Sequence, residues 1–338
     1  MTALDAILAA AMRRTLLVAV PIAVCWAAVW LLQPLRWEVD GLSMAPGLMP
    51  GDIVKTGPWP RFGRLWPLQR FDRWIVRVED GVDTVKRLVG LPGERVAIAE
   101  DDLWIDGLRL LTPPALLAET ALAVPFATVS TGAGSGRAGF ETALLDDAPF
   151  ATGERRLLLP ARDVGLAAVV DVAATSVEDP WRISLSIDER AVRFTPTGSG
   201  RHALIAGRLD GRFVAAAWRI EGTEGVWRGA IPPVARQPGI TWTIATDWPE
   251  AGEPQVDPPA LAWRIEAAAN VEGIQLERIV VWRDLVHRPA ANGIRSWRLA
   301  AGEVFCLGDF PSASRDCRIW GPIAATSLRY RVSGPESR

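Results

Sequence analysis

The feature that most constrains this chain is an uncharged apolar run over residues 15–32, TLLVAVPIAVCWAAVWLL. At about 1.5 Å rise per residue such a helix is roughly 27 Å long, close to the apolar thickness of a bilayer. Trp26 and Trp30 suit the far interface, and Pro21 is tolerated inside a membrane helix. Arg13 and Arg14 immediately precede the run. The positive-inside rule therefore places the N-terminus in the cytoplasm and everything after the run on the outer side of a cell (inner or plasma) membrane. A cleaved secretory leader also combines a basic start with an apolar run. The residues that follow here, Leu32-Gln33-Pro34-Leu35-Arg36-Trp37, are bulky where a cleavage site needs small side chains. Residues 1–33 are thus expected to be a cytoplasmic start and a retained single-pass anchor, with the lipid bilayer as a partner.

Beyond the anchor the chain reads as mainly β. Hydrophobic residues make up 49 % and the formal net charge is −2, which suits a globular protein and gives no sign of nucleic-acid binding. Short apolar segments such as Asp52-Ile53-Val54-Lys55, Trp74-Ile75-Val76-Arg77-Val78 and Arg95-Val96-Ala97-Ile98 alternate with Pro/Gly turns up to Pro113-Pro114. Thereafter alternating runs recur with turn signals such as Asp210-Gly211, the pattern of an antiparallel β-sandwich or jelly roll. Ser130 to Gly139, rich in Gly, Ser and Ala, is expected to be a flexible loop. Strands resume near Ile294. The division expected is a core of residues 34–112 and 295–338 interrupted by an inserted β-sandwich, 113–294, whose ligand cannot be read from its sequence.

Lysine occurs only at Lys55 and Lys86, in a chain that otherwise carries its positive charge as arginine. A guanidinium stays protonated in proteins, whereas a desolvated amine can lose its proton near neutral pH. Lys86 lies in a β-branched run ending in a Pro-Gly turn, on a half-buried strand where that can happen; a snorkelling strand lysine is the plainer reading. The two histidines, His202 and His287, lie far apart without a Cys or Glu at ligand spacing, which argues against a zinc site and against a Ser-His-Asp triad. No metal or cofactor is expected. Cys306 and Cys317 could pair, but their spacing does not require it. Ser43, about ten residues past the apolar run, sits among Gly and Pro, where a serine is usually only a turn residue. A serine can nevertheless act without histidine if a neutral lysine accepts its proton.

Gly41-Leu42-Ser43-Met44-Ala45-Pro46 resembles the serine box of the bacterial type I signal peptidases, and Thr84-Val85-Lys86-Arg87-Leu88-Val89-Gly90-Leu91-Pro92-Gly93 resembles their lysine box. Residues 307–322, LGDFPSASRDCRIWGP, are similar to the third box, G-D-N-x-x-x-S-x-D-S-R-x-x-G, with Phe310 where Asn is usual and Cys317 where Ser is usual. The resemblance implies a signal-peptidase β core. It makes Ser43 the nucleophile and Lys86 the general base, with Ser314 orienting the amine and Gly308 leaving room for the lysine stem. Ion pairs Asp309–Arg87 and Asp316–Arg318 would stiffen the loop, and the Ser43 backbone N–H would form half of an oxyanion hole. Gly41 stands where some members place an oxyanion-stabilising Ser.

The function implied is removal of signal peptides from secretory preproteins at the outer membrane face. Gly41, Leu42, Met44, Asp83, Thr84 and Val85 would line a groove that takes the extended end of the signal peptide as an added strand. Side chains alternate along such a strand, so the first and third positions before the cut would be read together. A membrane-anchored binding protein with a degenerate peptidase core is the alternative; the presence of Ser43, Lys86 and Ser314 together argues against it.

Overall fold

The computed structural model describes residues 17, 19–22, 24–26, 33–57, 67–78, 80–99, 102–124, 127–132, 135–139, 145–148, 157–160, 163–173, 182–188, 190–195, 198–220, 230–231, 243–245, 261–266, 274–284, 286–290 and 292–335. Residues 17, 19–22 and 24–26 are helical and exposed. The rest of the expected anchor lies outside the described residues, and among those described no helix is long and apolar enough to cross a membrane.

In chain order the first strands are β1 (Leu35–Glu38), β2 (Ile53–Thr56), β3 (Arg73–Arg77), β4 (Asp83–Gly90), β5 (Arg95–Ala99), β6 (Asp102–Ile105) and β7 (Leu108–Arg109). A short helix, α1 (Leu117–Thr120), then leads into β8 (Leu122–Val124), β9 (Ala127–Gly132), β10 (Ser135–Gly139), β11 (Leu145–Ala148) and β12 (Leu157–Pro160). β13 (Val164–Val172), β14 (Arg182–Ile187), β15 (Arg190–Phe194), β16 (Gly200–Leu209) and β17 (Arg212–Arg219) follow. The chain continues through β18 (Thr243–Ala245), β19 (Leu261–Glu266), β20 (Ile274–Arg283), β21 (Ser296–Arg298) and β22 (Glu303–Leu307), and ends with α2 (Cys317–Trp320), β23 (Ile323–Ala324) and β24 (Leu328–Pro335). Among the described strands the pairings, such as β3 with β4 and β13 with β16, are antiparallel.

Strands from 35–109 and 296–335 build one group of sheets. A seven-stranded sheet runs β1-β2-β24-β3-β4-β22-β23 and a four-stranded one β21-β5-β6-β7. Trp74, Val76 and Leu88 of the first meet Val96, Ile98, Leu103 and Trp297 of the second in one core cluster with Phe305 and Leu307. Val76, Leu88, Val96 and Phe305 are wholly buried. Each such side chain stabilises the fold by about 1.5–3 kcal/mol relative to exposure, so this core can hold one costly buried amine.

Strands from 122–283 build the other group. A six-stranded sheet runs β18-β17-β16-β13-β20-β8, and a five-stranded one β15-β14-β19-β10-β9. They share a core in which Leu166, Ala168 and Val170 of β13 meet Ile183, Leu185 and Leu261. The opposite face of the six-stranded sheet, with Ala167, Val169, Ile205, Val214 and Trp282, is covered by Leu117, Ala121, Ala230 and Ile231. β13 is therefore buried at every position but Asp171, and its first seven residues, VGLAAVV, are continuously apolar rather than alternating.

Two local readings meet the structure differently. Asp210 and Gly211 both take positive φ, 51° and 70°, and turn β16 back along β17 with Leu209 opposite Arg212, as an Asp-Gly hairpin signal predicts. The expected loop at 130–139 is instead largely a β9–β10 hairpin, with Val129 opposite Arg137 and Thr128 opposite Ala138. Thr128, Val129 and Thr131 favour extended backbone, and glycine composition alone does not prevent a ladder from forming.

Candidate active site

The serine lies on a turn rooted in the core. Between β1 and β2, Val39 N–H donates to the Asp52 carbonyl at 2.9 Å and Gly51 N–H to the Val39 carbonyl at 2.7 Å, closing the loop. Inside it Ala45 N–H reaches Leu42 O and Leu48 N–H reaches Met44 O; the Ala45–Pro46 peptide is cis. Met44 and Leu48, 1 % and 0 % exposed, pack with Val39, Val54, Ile75 and Val332. Ser43 is thereby held half-buried at the rim, while Gly41 and Leu42 are exposed. Met44, expected along the groove, is a core side chain: the same contacts that fix the turn take it out of solvent.

The lysine approaches from β4, directly across from Trp74 on β3. Lys86 is 2 % exposed, and its Nζ donates to Ser43 Oγ at 2.9 Å. Burial pushes its pKa down to about 8; Asp316 and Asp309 pull the other way and Arg318 assists the fall. A substantial fraction of such an amine is neutral near physiological pH. Its lone pair then points at a hydroxyl within hydrogen-bond reach, the geometry a nucleophile–base pair needs.

Residues 307–322 form the wall behind the pair. Phe310 N–H donates to the Ser43 carbonyl at 3.0 Å. A Cβ on Gly308 would lie 2.2 Å from Ser314 Oγ and 2.5 Å from the Ser43 carbonyl oxygen. The glycine is thus required by the serine turn and by Ser314, a different reason from the lysine stem that the motif suggested. Asp316 caps α2: it accepts from Arg318 Nε and Nη2, both at 2.8 Å, and from Gly308 N–H at 3.1 Å. Burial raises its pKa, but the Arg318 bonds outweigh this and keep it ionised. Ser314 Oγ is buried without a well-formed hydrogen bond; its loose contact with Asp316 still helps hold that carboxylate down. The expected bond from Ser314 to the lysine amine is not made. Cys306 and Cys317 are both free and buried, with Cys306 N–H donating to Cys317 Sγ at 3.2 Å.

Arg87, on the other face of β4, is held from several sides. Its Nε and Nη2 donate to Asp309 at 2.6 and 2.5 Å, Nη1 to the Phe71 carbonyl at 2.8 Å, and Nη2 also to Glu119 Oε2 at 2.8 Å. Asp309 was legible from the motif. Glu119 was not: it belongs to no box and comes from α1, at the entrance to the second group of sheets.

Residues 83–85 present an edge. β4 pairs with β3 along Asp83–Arg87, Asp83 lying opposite Arg77 and bonded to it at 2.9 and 2.6 Å. On its other side the pairing with β22 begins only at Arg87. Thr84 and Val85 are half-buried. Among the described strands, the backbone leading into Lys86 therefore has no partner on the side opposite β3.

Residues 10–126 match the family model described as signal peptidase, peptidase S26. The chain is also similar to signal peptidase I of Bacillus caldolyticus, 32 % identical over 78 residues, 23 % of this chain and 42 % of that protein. It is 32 % identical to signal peptidase I of Bacillus licheniformis over 104 residues, 30 % and 52 % of the two chains. Against signal peptidase I of Streptococcus pneumoniae serotype 4 the identity is 36 % over 70 residues, 20 % and 31 % of the two. The chain thus spans about half or less of the length of these relatives. Over residues 10–126, which include Ser43 and Lys86, the chain is thus similar to the signal peptidases of peptidase family S26, a family of enzymes.

Proposed function

We propose that this protein is a serine endopeptidase that removes signal peptides from secretory preproteins, with Ser43 as nucleophile and Lys86 as general base. The observation that carries this reading is the 2.9 Å contact between Lys86 Nζ and Ser43 Oγ in a place that lowers the amine's pKa to about 8. The substrate's extended segment adds to the unpartnered edge of Asp83, Thr84 and Val85, beside the exposed Gly41 and Leu42. Ser43 Oγ attacks the scissile carbonyl while its proton passes to neutral Lys86. The oxyanion is met by the Ser43 backbone N–H. Lys86 returns the proton to the leaving amine as the C–N bond breaks. Water, deprotonated by Lys86, then attacks the acyl-enzyme and frees the Ser43 hydroxyl. Asp309–Arg87 and Asp316–Arg318 hold the wall rigid, and Gly308 lets Ser314 and the serine turn close against each other.

The apolar run 15–32 anchors the chain in the membrane, Arg13 and Arg14 on the cytoplasmic side, so the site works at the outer surface where a precursor's apolar segment is already held. Residues 34–112 and 295–338 form the catalytic unit. The β-rich stretch between them forms the inserted unit and bears on which precursors are processed. The test is cleavage of a precursor and of a short peptide bearing an Ala-x-Ala site. Ser43→Ala and Lys86→Ala should each abolish turnover of both; a Ser43→Ala protein that still cleaves at the wild-type rate refutes the assignment.

A further inference from the structure

We infer that Glu119 is a positioning residue for the peptidase reaction, a clasp that holds the serine turn and the lysine strand in register; the inference rests on the reading of Ser43 and Lys86 given above. Its carboxylate reaches the residue after the lysine, bonding Arg87 Nη2 at 2.8 Å, and lies 3.5 Å from Arg73 Nη2 on the neighbouring strand. Its backbone reaches the serine's own turn: a Cβ on Gly47, four positions after Ser43, would lie 2.7 Å from the Glu119 carbonyl oxygen. One residue thus touches both halves of the dyad's scaffold without touching either reacting group. Burial alone would raise its pKa, but the two guanidiniums outweigh burial and keep it charged.

The position of Glu119 in the chain gives the contact its meaning. Leu117 and Ala121, on either side, are each 1 % exposed and packed in the cluster that covers the six-stranded sheet. Glu119 therefore cannot drift: its helix is fastened to the second group of sheets while its side chain holds the first. Arg87 keeps Asp309 and the Phe71 carbonyl when Glu119 is changed, so its guanidinium is not left without a partner and the fold should survive. What is lost is the fastening between turn and strand. A small separation there lets water reach Lys86 and spoils its aim at Ser43 Oγ.

The experiment uses the full chain and a soluble peptide with an Ala-x-Ala site. kcat and KM are measured from about pH 6 to pH 10 for wild type, Glu119→Gln, Glu119→Ala and Gly47→Ala. All three variants should lower kcat by roughly 10- to 100-fold, the cost of misplaced catalytic groups, and leave KM unchanged, because Glu119 does not face the groove. The rising limb of each kcat/KM profile should move to higher pH as Lys86 becomes hydrated. Gly47→Ala perturbs the clasp from the serine side, so it decides the matter if Glu119→Ala does not fold. Folded Glu119→Gln and Gly47→Ala proteins with wild-type kcat, or with a lowered kcat and an unmoved pH limb, overturn the inference, as does a change confined to KM. Cleavage surviving in Ser43→Ala would instead refute the underlying function, whatever Glu119 does.

Discussion

Replacing the lysine should make the protein more stable and inactive at once. Lys86 is 2 % exposed and its pKa falls from 10.5 to about 8, chiefly through burial. Below pH 8 the folded state must hold a charged amine that the unfolded chain leaves in water. A displacement of about 2.5 units corresponds to roughly 3 kcal/mol of lost stability, fully present below pH 8 and declining to nothing as pH passes 10.5. Lys86→Met keeps an unbranched side chain of similar reach and removes the charge. Its one evident loss is the bond to Ser43 Oγ, worth about 0.5–1.5 kcal/mol. At pH 7 the variant should therefore be about 2 kcal/mol more stable than wild type, and the gain should shrink steadily from pH 8 to pH 10 as the wild-type amine discharges. Thermal or urea melts of both proteins at each pH measure this difference directly, and titrations elsewhere in the molecule cancel. A variant less stable than wild type at pH 7, or a difference that does not change with pH, would show that burial does not strain this amine.

Three further outcomes are expected. Lys86→Arg should be as inactive as Lys86→Ala, and wild-type kcat/KM should rise with pH through a limb near 8; appreciable turnover by the arginine variant removes the general-base role. Gly308→Ala should cost at least about a hundredfold in kcat, because its methyl would collide with Ser314 Oγ and the Ser43 carbonyl; wild-type kinetics would mean that the serine turn can retreat freely. Asp163 is pushed up to about 7 by burial and by Asp210, against the pull of Arg109, so the stability it lends is present below its ordinary value of 3.8 and is lost as pH rises through 7. Asp163→Asn should therefore flatten the decline of melting temperature between pH 4 and 7.5, and a parallel decline in both proteins speaks against this.

What the sequence disclosed was local. The turn around Ser43, the strand of Lys86 and the Asp316–Arg318 pair could be read because each falls within a short run that resembles a box of a known family. Asp316 and Arg318, two positions apart, are an example. Other features depend on what lies opposite in space. β13 looks unlike an alternating strand because both its faces are covered, which its own residues do not announce. Met44 sits beside Ser43 in sequence, yet its side chain turns into the core because that is what anchors the bend. Glu119 gave no signal: a single acidic residue on a four-residue helix has no pattern, and its partners Arg73 and Arg87 lie far back in the chain.

The charges around the lysine explain why burial can prevail. Asp309 and Asp316 are 3 % and 0 % exposed, and two bare carboxylates so near would hold an amine protonated. Neither is bare. Asp309 is paired in two bonds by Arg87, and Asp316 in two by Arg318, whose charge also works against protonation of the lysine. Each pair is nearly neutral at the distance of Lys86, so its field there is much smaller than that of a lone anion and the cost of desolvation decides the outcome. The same pairing lets the carboxylates keep their structural duties, Asp316 receiving Gly308 N–H and the α2 terminus while Asp309 fixes the strand through Arg87. A neutral base beside a serine thus requires arginines as well as a dry pocket: removing either arginine should raise the lysine pKa, because it leaves the field of Asp309 or Asp316 at the amine unopposed, and for Arg318 also because it takes away a positive charge that disfavours protonation of the lysine.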